Sequence, residues 1–252
     1  MNDLSVIIAT KNEENYIAET LKFLRLCMDK ANKHGIDVEL IVVDSSNDQT
    51  LRIAQKFTDK AYSFSIQGVS RARNYGCKFA EGKILIFMDA DTLLLDDKTL
   101  IEAYNCFLNP ETVCVLTYVC PIETNLSLWL RFVYLFDKFF IKSCERLSLP
   151  LKFYTRGDFF CVRKGAFDKV KGFNEKLYIL EITDLLNKIL DLKEVHKLPK
   201  YKKVKVLPKP VYDTSRRLRK WKPSMHFKVY IMNFFTFYVF KRLFSKTYEP
   251  IR

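Results

Sequence analysis

At 252 residues, 48% hydrophobic and 28% charged, the chain is long enough for one large domain with a sizeable core. That composition excludes a disordered tail, a collagen or a coiled coil. The formal charge of +13 is one-sided: residues 1–184 carry 24 Lys/Arg against 25 Asp/Glu, whereas residues 185–252 carry 18 against 4. A final quarter that basic seeks polyanions, which means nucleic acid, anionic lipid headgroups or a phosphorylated substrate. Seven cysteines occur singly without a CxxC pair, and residues 1–11 read as a strand rather than a secretory leader. A reducing, cytoplasmic location without structural zinc is the expectation.

The first half alternates β-branched runs with segments of helical period, the pattern of a mostly parallel sheet covered by helices. Strands are predicted at LSVIIAT (4–10), VELIVVD (38–44), AYSFS (61–65) and KILIFMD (83–89), with helices over 13–33, 48–57 and 69–80 between and after them. A fourth helix over 97–108 leads to a fifth strand, TVCVLTYV (112–119).

The second half is less regular. Residues 125–146 have helical period, with Leu126, Trp129, Leu130, Val133 and Phe140 on one face, Phe132, Leu135 and Phe139 on the other, and Arg131, Lys138, Lys142 and Glu145 between them. A helix apolar on so many sides needs protein or lipid around it. In the tail, VYIMNFFTFYVF (229–240) carries no charge and is followed by Lys241 and Arg242. Twelve helical residues span only about 18 Å against a hydrocarbon core of about 30 Å, so such a segment lies in the membrane interface or forms an ordinary docked helix or dimer seam. The expected layout is one domain over 1–223, made of two halves (1–120 and 121–223), followed by a basic, aromatic helix over 224–252.

In an open parallel sheet, ligands bind beyond the carboxyl ends of the strands. Strand one ends on Thr10, Asn12 and Glu13, strand two on Asp44 and Asp48, and strand four on Asp89 and Asp91. Ser45 to Asp48 would also serve to cap the following helix. In extended backbone, residues i and i+2 point the same way about 6.6–7 Å apart, so Asp89 and Asp91 can be aimed at one divalent cation. An all-oxygen donor pair favours Mg²⁺ or Mn²⁺ with a substrate phosphate completing the shell. The chain has no glycine-rich phosphate loop, so phosphate recognition falls to a metal and to basic side chains. Asp137 sits on the apolar side of its helix, where a carboxylate needs a basic partner. His34, His196 and His226 lack metal-ligand spacing.

Taken together, SVIIATKNEENYIAETL, ELIVVDSSNDQT, GVSRARNYGCKFAEGKILIFMDADT and GAFDKVKGFNE resemble the successive motifs of family 2 glycosyltransferases with the GT-A fold, closely over 4–92 and loosely over 153–190. The resemblance implies a Rossmann-like α/β domain that moves a hexose from a UDP- or GDP-linked sugar, with inversion, onto an acceptor. It implies that Thr10, Asn12, Glu13 and Asp44 cradle the nucleoside and that Arg73 helps hold the nucleotide. Asp89 and Asp91 would organise Mn²⁺ or Mg²⁺ on the diphosphate, with Asp91 essential for turnover. TSRRLRKW (214–221) resembles a segment that follows the catalytic core in such enzymes, which implies that Arg216 and Arg217 close over the diphosphate. Gly157 and Asp158, opening the loosely matching strand, would line the sugar or acceptor pocket.

The sequence departs from the family at one place. Where the family commonly shows EDxDL, with the first Asp as base, this chain reads EITDL, so Ile182 stands at that position and only Glu181 and Asp184 remain. Either Glu181 takes over as base or none is needed. A hydroxyl acceptor has a pKa on the order of water's, about 15.7, and a phosphate monoester about 6, a difference of roughly 13 kcal/mol in forming the attacking anion. The missing Asp, the aromatic helices and the basic tail together suggest a lipid-phosphate acceptor, with a glycan hydroxyl as the alternative, and a peripheral position on the inner membrane face. Two competing readings are a basic module gripping single-stranded nucleic acid, which leaves the Asp89/Asp91 pair unexplained, and a sugar nucleotidyltransferase, which would need a glycine-rich N-terminal loop.

Overall fold

A computed structural model describes residues 2–146, 156–177, 180–197 and 203–216. The expected helix over 224–252 and Arg217 lie outside the described residues.

Seven strands form the main sheet in the order β3-β2-β1-β4-β8-β6-β9. The first four are β1 (Leu4–Thr10), β2 (Val38–Asp44), β3 (Ala61–Ser63) and β4 (Ile84–Asp89), mutually parallel and close to their predicted bounds. Register puts Thr10 opposite Asp44 and Ala9 opposite Asp89, so the carboxyl ends of β1, β2 and β4 finish at one level. β8 (Phe159–Arg163) runs antiparallel to both β4 and β6 (Cys114–Leu116), while β9 (Val204–Val206) pairs parallel with β6.

Alternating residues of β1 feed two cores. Leu4, Val6 and Ile8 pack with α1 (Ile17–Lys33) and α4 (Thr99–Leu108), and Leu130 and Tyr134 of α5 (Leu128–Arg146) join that layer. Ile7, Ile41 and Phe87 face the opposite layer with residues of α3 (Val69–Cys77), α6 (Lys164–Lys169) and α7 (Glu181–Leu190). Gly76 sets the fit of α3 on the sheet, because a Cβ there would lie 2.8 Å from the Ile7 side chain. The close approach brings Arg73, one turn earlier, against the strand ends.

Three departures from the sequence reading shape the strand ends and the second sheet, each for a local reason. Helix α1 starts at Ile17 rather than near 13, because Asn12 adopts φ 56° and the Glu13 carbonyl accepts from the Tyr16 and Ile17 amides in a tight turn. Glu13 is thereby kept at the strand end. The predicted strand 112–119 breaks in two: β6 stays in the main sheet, whereas β7 (Val119–Pro121) joins β5 (Thr92–Leu93) and β10 (Val211–Asp213) in a small second sheet of order β5-β10-β7. Between them the Thr117 hydroxyl donates to the Lys209 carbonyl at 2.9 Å. The third difference is at the Asp-Ala-Asp run. β4 ends at Asp89, the chain turns through Ala90 and Asp91, and β5 begins at Thr92, so the extended spacing expected of the two carboxylates does not hold.

In α5, capped by Ser127 through the Leu130 amide, Leu130, Tyr134 and Ile141 are buried. Trp129, grouped by spacing with Leu126 and Leu130, lies outside with Phe132, Leu135, Phe136 and Phe139. Among the described residues no helix is long and apolar enough to cross a membrane.

Candidate active site

The carboxyl ends of β1 and β2 make a pre-ordered polar floor. The Thr10 hydroxyl donates to Asp44 Oδ1 at 2.6 Å, and the Ser46 hydroxyl donates to the same oxygen. The Asn12 amide donates to Ser46 Oγ at 2.6 Å, and Asn12 Oδ1 accepts from the Asn47 amide at 3.1 Å. Thr10, Asn12 and Asp44 therefore belong to one hydrogen-bonded unit joining two loops. Asp48 closes a local turn just ahead of α2 (Thr50–Ala54), with Oδ1 accepting from the Thr50 amide at 2.9 Å, while the N-cap position itself is Gln49. Burial raises its pKa, but the Thr50 and Glu14 hydrogen bonds outweigh that and hold the carboxyl below its usual range.

Arg73 is the pivot of the second unit. Its side chain is 1% exposed, and its guanidinium donates to Asp89 Oδ1 at 2.7 Å through Nη2 and to Glu181 Oε1 at 2.9 Å through Nη1. Nη2 also faces the Gly157 carbonyl at 3.4 Å. A solvated surface charge is thus excluded for Arg73. Enclosed in this way, it fixes two carboxylates in place. Asp89 is joined to Asp158 by backbone, its amide donating to the Asp158 carbonyl at 3.2 Å. Glu181 opens α7, where Leu180 takes a left-handed φ of 60°, while Ile182 is buried in the core and Asp184 pairs with Lys188 at 2.7 Å.

The third unit joins the two ends of the described chain. Arg216 Nη2 donates to both oxygens of Glu13, at 2.6 Å to Oε1, its Nε donates to Asp91 Oδ2 at 2.9 Å, and its guanidinium lies over the Tyr16 ring at 4.3 Å. A guanidinium whose donors serve two carboxylates at once is suited to binding oxyanions. A nucleotide diphosphate presents the same kind of oxygens.

A fourth unit escaped sequence reasoning. Arg156, just before β8, contacts Asp158 at 3.0 Å and Asp213 of β10 at 3.0 Å. The Tyr134 hydroxyl donates to Asp213 Oδ1 at 2.6 Å and meets Ser215 Oγ at 3.1 Å. Asp137 lies close by, but the partner expected for it is taken, since Arg156 bonds to Asp158 and Asp213. The Oδ2 atom of Asp137 is buried with no hydrogen-bond partner among the described residues. Burial pushes the Asp137 carboxyl up to about 6 and does the same for Asp213, in both cases against the opposing pull of Arg156. The signal in the sequence was slight: Arg156 and Asp213 are 57 residues apart, in segments without a periodic pattern.

The donor chemistry at the end of β4 fits a hard divalent cation. Asp89 and Asp91 supply only oxygens, and each faces an arginine, Arg73 and Arg216 respectively. No group of three or more His, Cys, Asp or Glu gathers as a metal cluster among the described residues. Mg²⁺ and Mn²⁺ sites with one or two protein carboxylates take the remaining ligands from phosphate and water.

An α/β sheet with polar loops converging at the carboxyl ends of β1, β2 and β4, and an antiparallel β8 completing the site, defines a nucleotide-binding type of fold. Residues 5–171 match the Glycosyl transferase family 2 model, and the chain belongs to that family. Poly(ribitol-phosphate) beta-N-acetylglucosaminyltransferase TarS of Staphylococcus aureus is 36% identical over 110 residues, covering 41% of this chain and 18% of that protein. The 4,4'-diaponeurosporenoate glycosyltransferase of Staphylococcus haemolyticus is 35% identical over 112 residues, covering 40% of this chain and 28% of that protein. The chain thus spans well under a third of either relative. The crystal structure of TarS residues 1–349 with UDP-GlcNAc superposes with a TM-score of 0.60 at 23% identity, covering 85% of this chain and 59% of that one. The mannosyltransferase PcManGT of Pyrobaculum calidifontis, with GDP-Man and Mn²⁺, gives 0.66 at 17% identity, covering 92% and 61%. These likenesses establish the GT-A type of fold.

Proposed function

We propose that the protein transfers a hexose from a nucleotide-diphosphate sugar to a membrane-associated acceptor, with inversion at the anomeric carbon. The observation that carries this reading is the Arg216 bridge, in which the end of β1, the turn after β4 and the segment after β10 meet through Glu13, Asp91 and Arg216. Such a self-paired arginine is ready to exchange protein carboxylates for a diphosphate. That TarS and PcManGT were crystallised with UDP-GlcNAc and GDP-Man supports a nucleotide-sugar donor of the UDP or GDP kind. Residues 1–120 then form the donor half and residues 121–223 the acceptor half.

In this mechanism the Thr10, Asn12 and Asp44 unit receives the nucleoside, with Glu13 beside it. Asp89 and Asp91 would hold Mn²⁺ or Mg²⁺, which would supply positive charge to the diphosphate leaving group. Arg216 turns from Glu13 and Asp91 onto the departing diphosphate oxygens, with Arg217 beside it in sequence. Arg73 keeps Asp89 and Glu181 in register. Gly157 and Asp158 border the space where the sugar must sit, and the acceptor attacks from the face opposite the leaving group.

The acceptor we favour is a lipid-linked phosphate. At the start of α7 both acids already face a cation, Glu181 through Oε1 to buried Arg73 and Asp184 to Lys188. A phosphate monoester, already ionised near neutral pH, needs no base. The experiment is transfer of labelled sugar to polyprenyl phosphate and to soluble glycosides side by side. Label on the lipid supports the reading; label on soluble glycosides alone overturns it. Peripheral attachment at the inner membrane face belongs to the same proposal.

A further inference from the structure

The outward face of α5 carries Leu128 at 84% exposure, Phe139 at 71% and Leu135 at 65%, with Phe132, Phe136 and Trp129 completing the stripe. The rings are ordered along the helix: Trp129 stacks on Phe132, Phe132 on Phe136 and Phe136 on Phe140, at centroid spacings of 6.0, 6.1 and 6.3 Å. Six large apolar side chains on one exposed helical face far exceed the scattered apolar residues of an ordinary surface.

Charge decides what covers them. On a helical projection, Arg131, Lys138 and Lys142 form one flank of the stripe, and Asp137, the one acid between 128 and 143, is turned to the inner side. Lys138 and Lys142 lie 5.5 and 5.0 Å from the Tyr118 ring, which holds both cations at that flank. Beyond the described residues, 217–252 add nine Lys/Arg against one Glu. An apolar stripe beside a basic edge, on a helix too polar to cross a bilayer, is the pattern of a helix lying in the headgroup region of an anionic membrane.

We propose that the outward face of α5 is a docking surface for an anionic lipid bilayer. The helix lies in the plane of the interface, with Phe132, Leu135, Phe136 and Phe139 below the headgroups and Arg131, Lys138 and Lys142 among the phosphates. The purpose of this contact rests on the lipid-linked acceptor proposed above; the contact itself rests on α5. The same helix reaches the site from its other side, where Tyr134 bonds to Asp213 and Ser215, immediately before Arg216. Seating α5 on lipid therefore places the arginine-bearing segment at a fixed height above the membrane.

The test uses the full chain with Trp221→Phe, which leaves Trp129 as the one indole. Vesicles of phosphatidylcholine with phosphatidylglycerol are expected to shift Trp129 emission to the blue and shield it from iodide, and phosphatidylcholine alone to do so much less. Phe132→Ser with Phe136→Ser is expected to cut partitioning roughly a hundredfold, each inserted ring being worth about tenfold or more. Its melting temperature and its stabilisation by nucleotide sugar without lipid should be unchanged, which separates failure of this surface from failure of the donor site. Trp129 emission indifferent to anionic vesicles would overturn the proposal. So would undiminished binding of the double Ser variant, which assigns the contact to the tail, or Trp129 shielded before lipid is added in a concentration-dependent dimer.

Discussion

Arg73 of α3 and Glu181 at the head of α7 are 108 positions apart in sequence and meet at 2.9 Å, with the guanidinium fully enclosed and shared with Asp89. The pair ties the end of β4 to the helix that carries Glu181 and Asp184. It accounts for why Glu181 is so placed without requiring that it act as a base.

Removing the arginine leaves two half-buried carboxylates facing each other. Arg73→Ala is expected to lower stability by about 3–5 kcal/mol. Arg73→Lys keeps a charge but lacks the planar fork that serves both acids, so it should fall between. Urea denaturation of the three proteins checks the order.

Arg216 is a second case. Its partners are also enclosed, with Glu13 at 10% and Asp91 at 14% side-chain exposure, so Arg216→Ala should lower stability as well, by about 3 kcal/mol. If it closes on the leaving diphosphate, turnover should drop about 10²–10³-fold, the usual scale for one lost transition-state donor. A loss of stability with unchanged turnover would reverse that assignment.

The outline of the fold was legible in the sequence because β1, β2 and β4 are nearly unbroken apolar runs closed by polar residues. Register then brought Thr10 beside Asp44 and Ala9 beside Asp89. Less legible was everything that depends on turns. The bend at Ala90 and Asp91 hands the two carboxylates to different arginines, Arg73 and Arg216, which no strand periodicity reveals. Trp129 shares its 100° spacing with inner and outer neighbours alike, so period alone did not decide its side. The Arg156, Asp213 and Tyr134 unit joins three segments distant in sequence through single residues, and it became visible only when β10 was seen to lie beside β7.

Asp137 and Asp213 should give the protein an unusual response to pH. Burial sets both carboxyls at about 6 in the folded protein, above the ordinary value of 3.8. The folded state therefore binds protons that the unfolded chain releases. Between about pH 6 and 3.8 the contribution of these groups to stability grows as pH falls, and above pH 6 they oppose folding in full. Asp137→Asn is accordingly expected to raise the melting temperature at pH 8 by about 3 °C or more, with the gap narrowing towards pH 5. Melting curves at both values decide it.

Glu181→Gln separates the acceptor chemistries. The amide oxygen can still accept from Arg73, so the fold should stand. With a phosphate acceptor, turnover should change less than about tenfold; with a hydroxyl acceptor dependent on this base, it should fall by about 10²–10⁴. Rates with polyprenyl phosphate and with a glycan give the answer.

The central claim is that Asp91 and Arg216 serve the diphosphate of a nucleotide sugar. It is tested most directly by melting the wild type and Asp91→Ala across a panel of UDP- and GDP-sugars with Mn²⁺. One donor at saturating concentration should raise the wild-type melting temperature by about 5 °C or more and leave Asp91→Ala, folded as before, almost unmoved. An equal rise in both proteins, or none with any nucleotide sugar, would contradict the account.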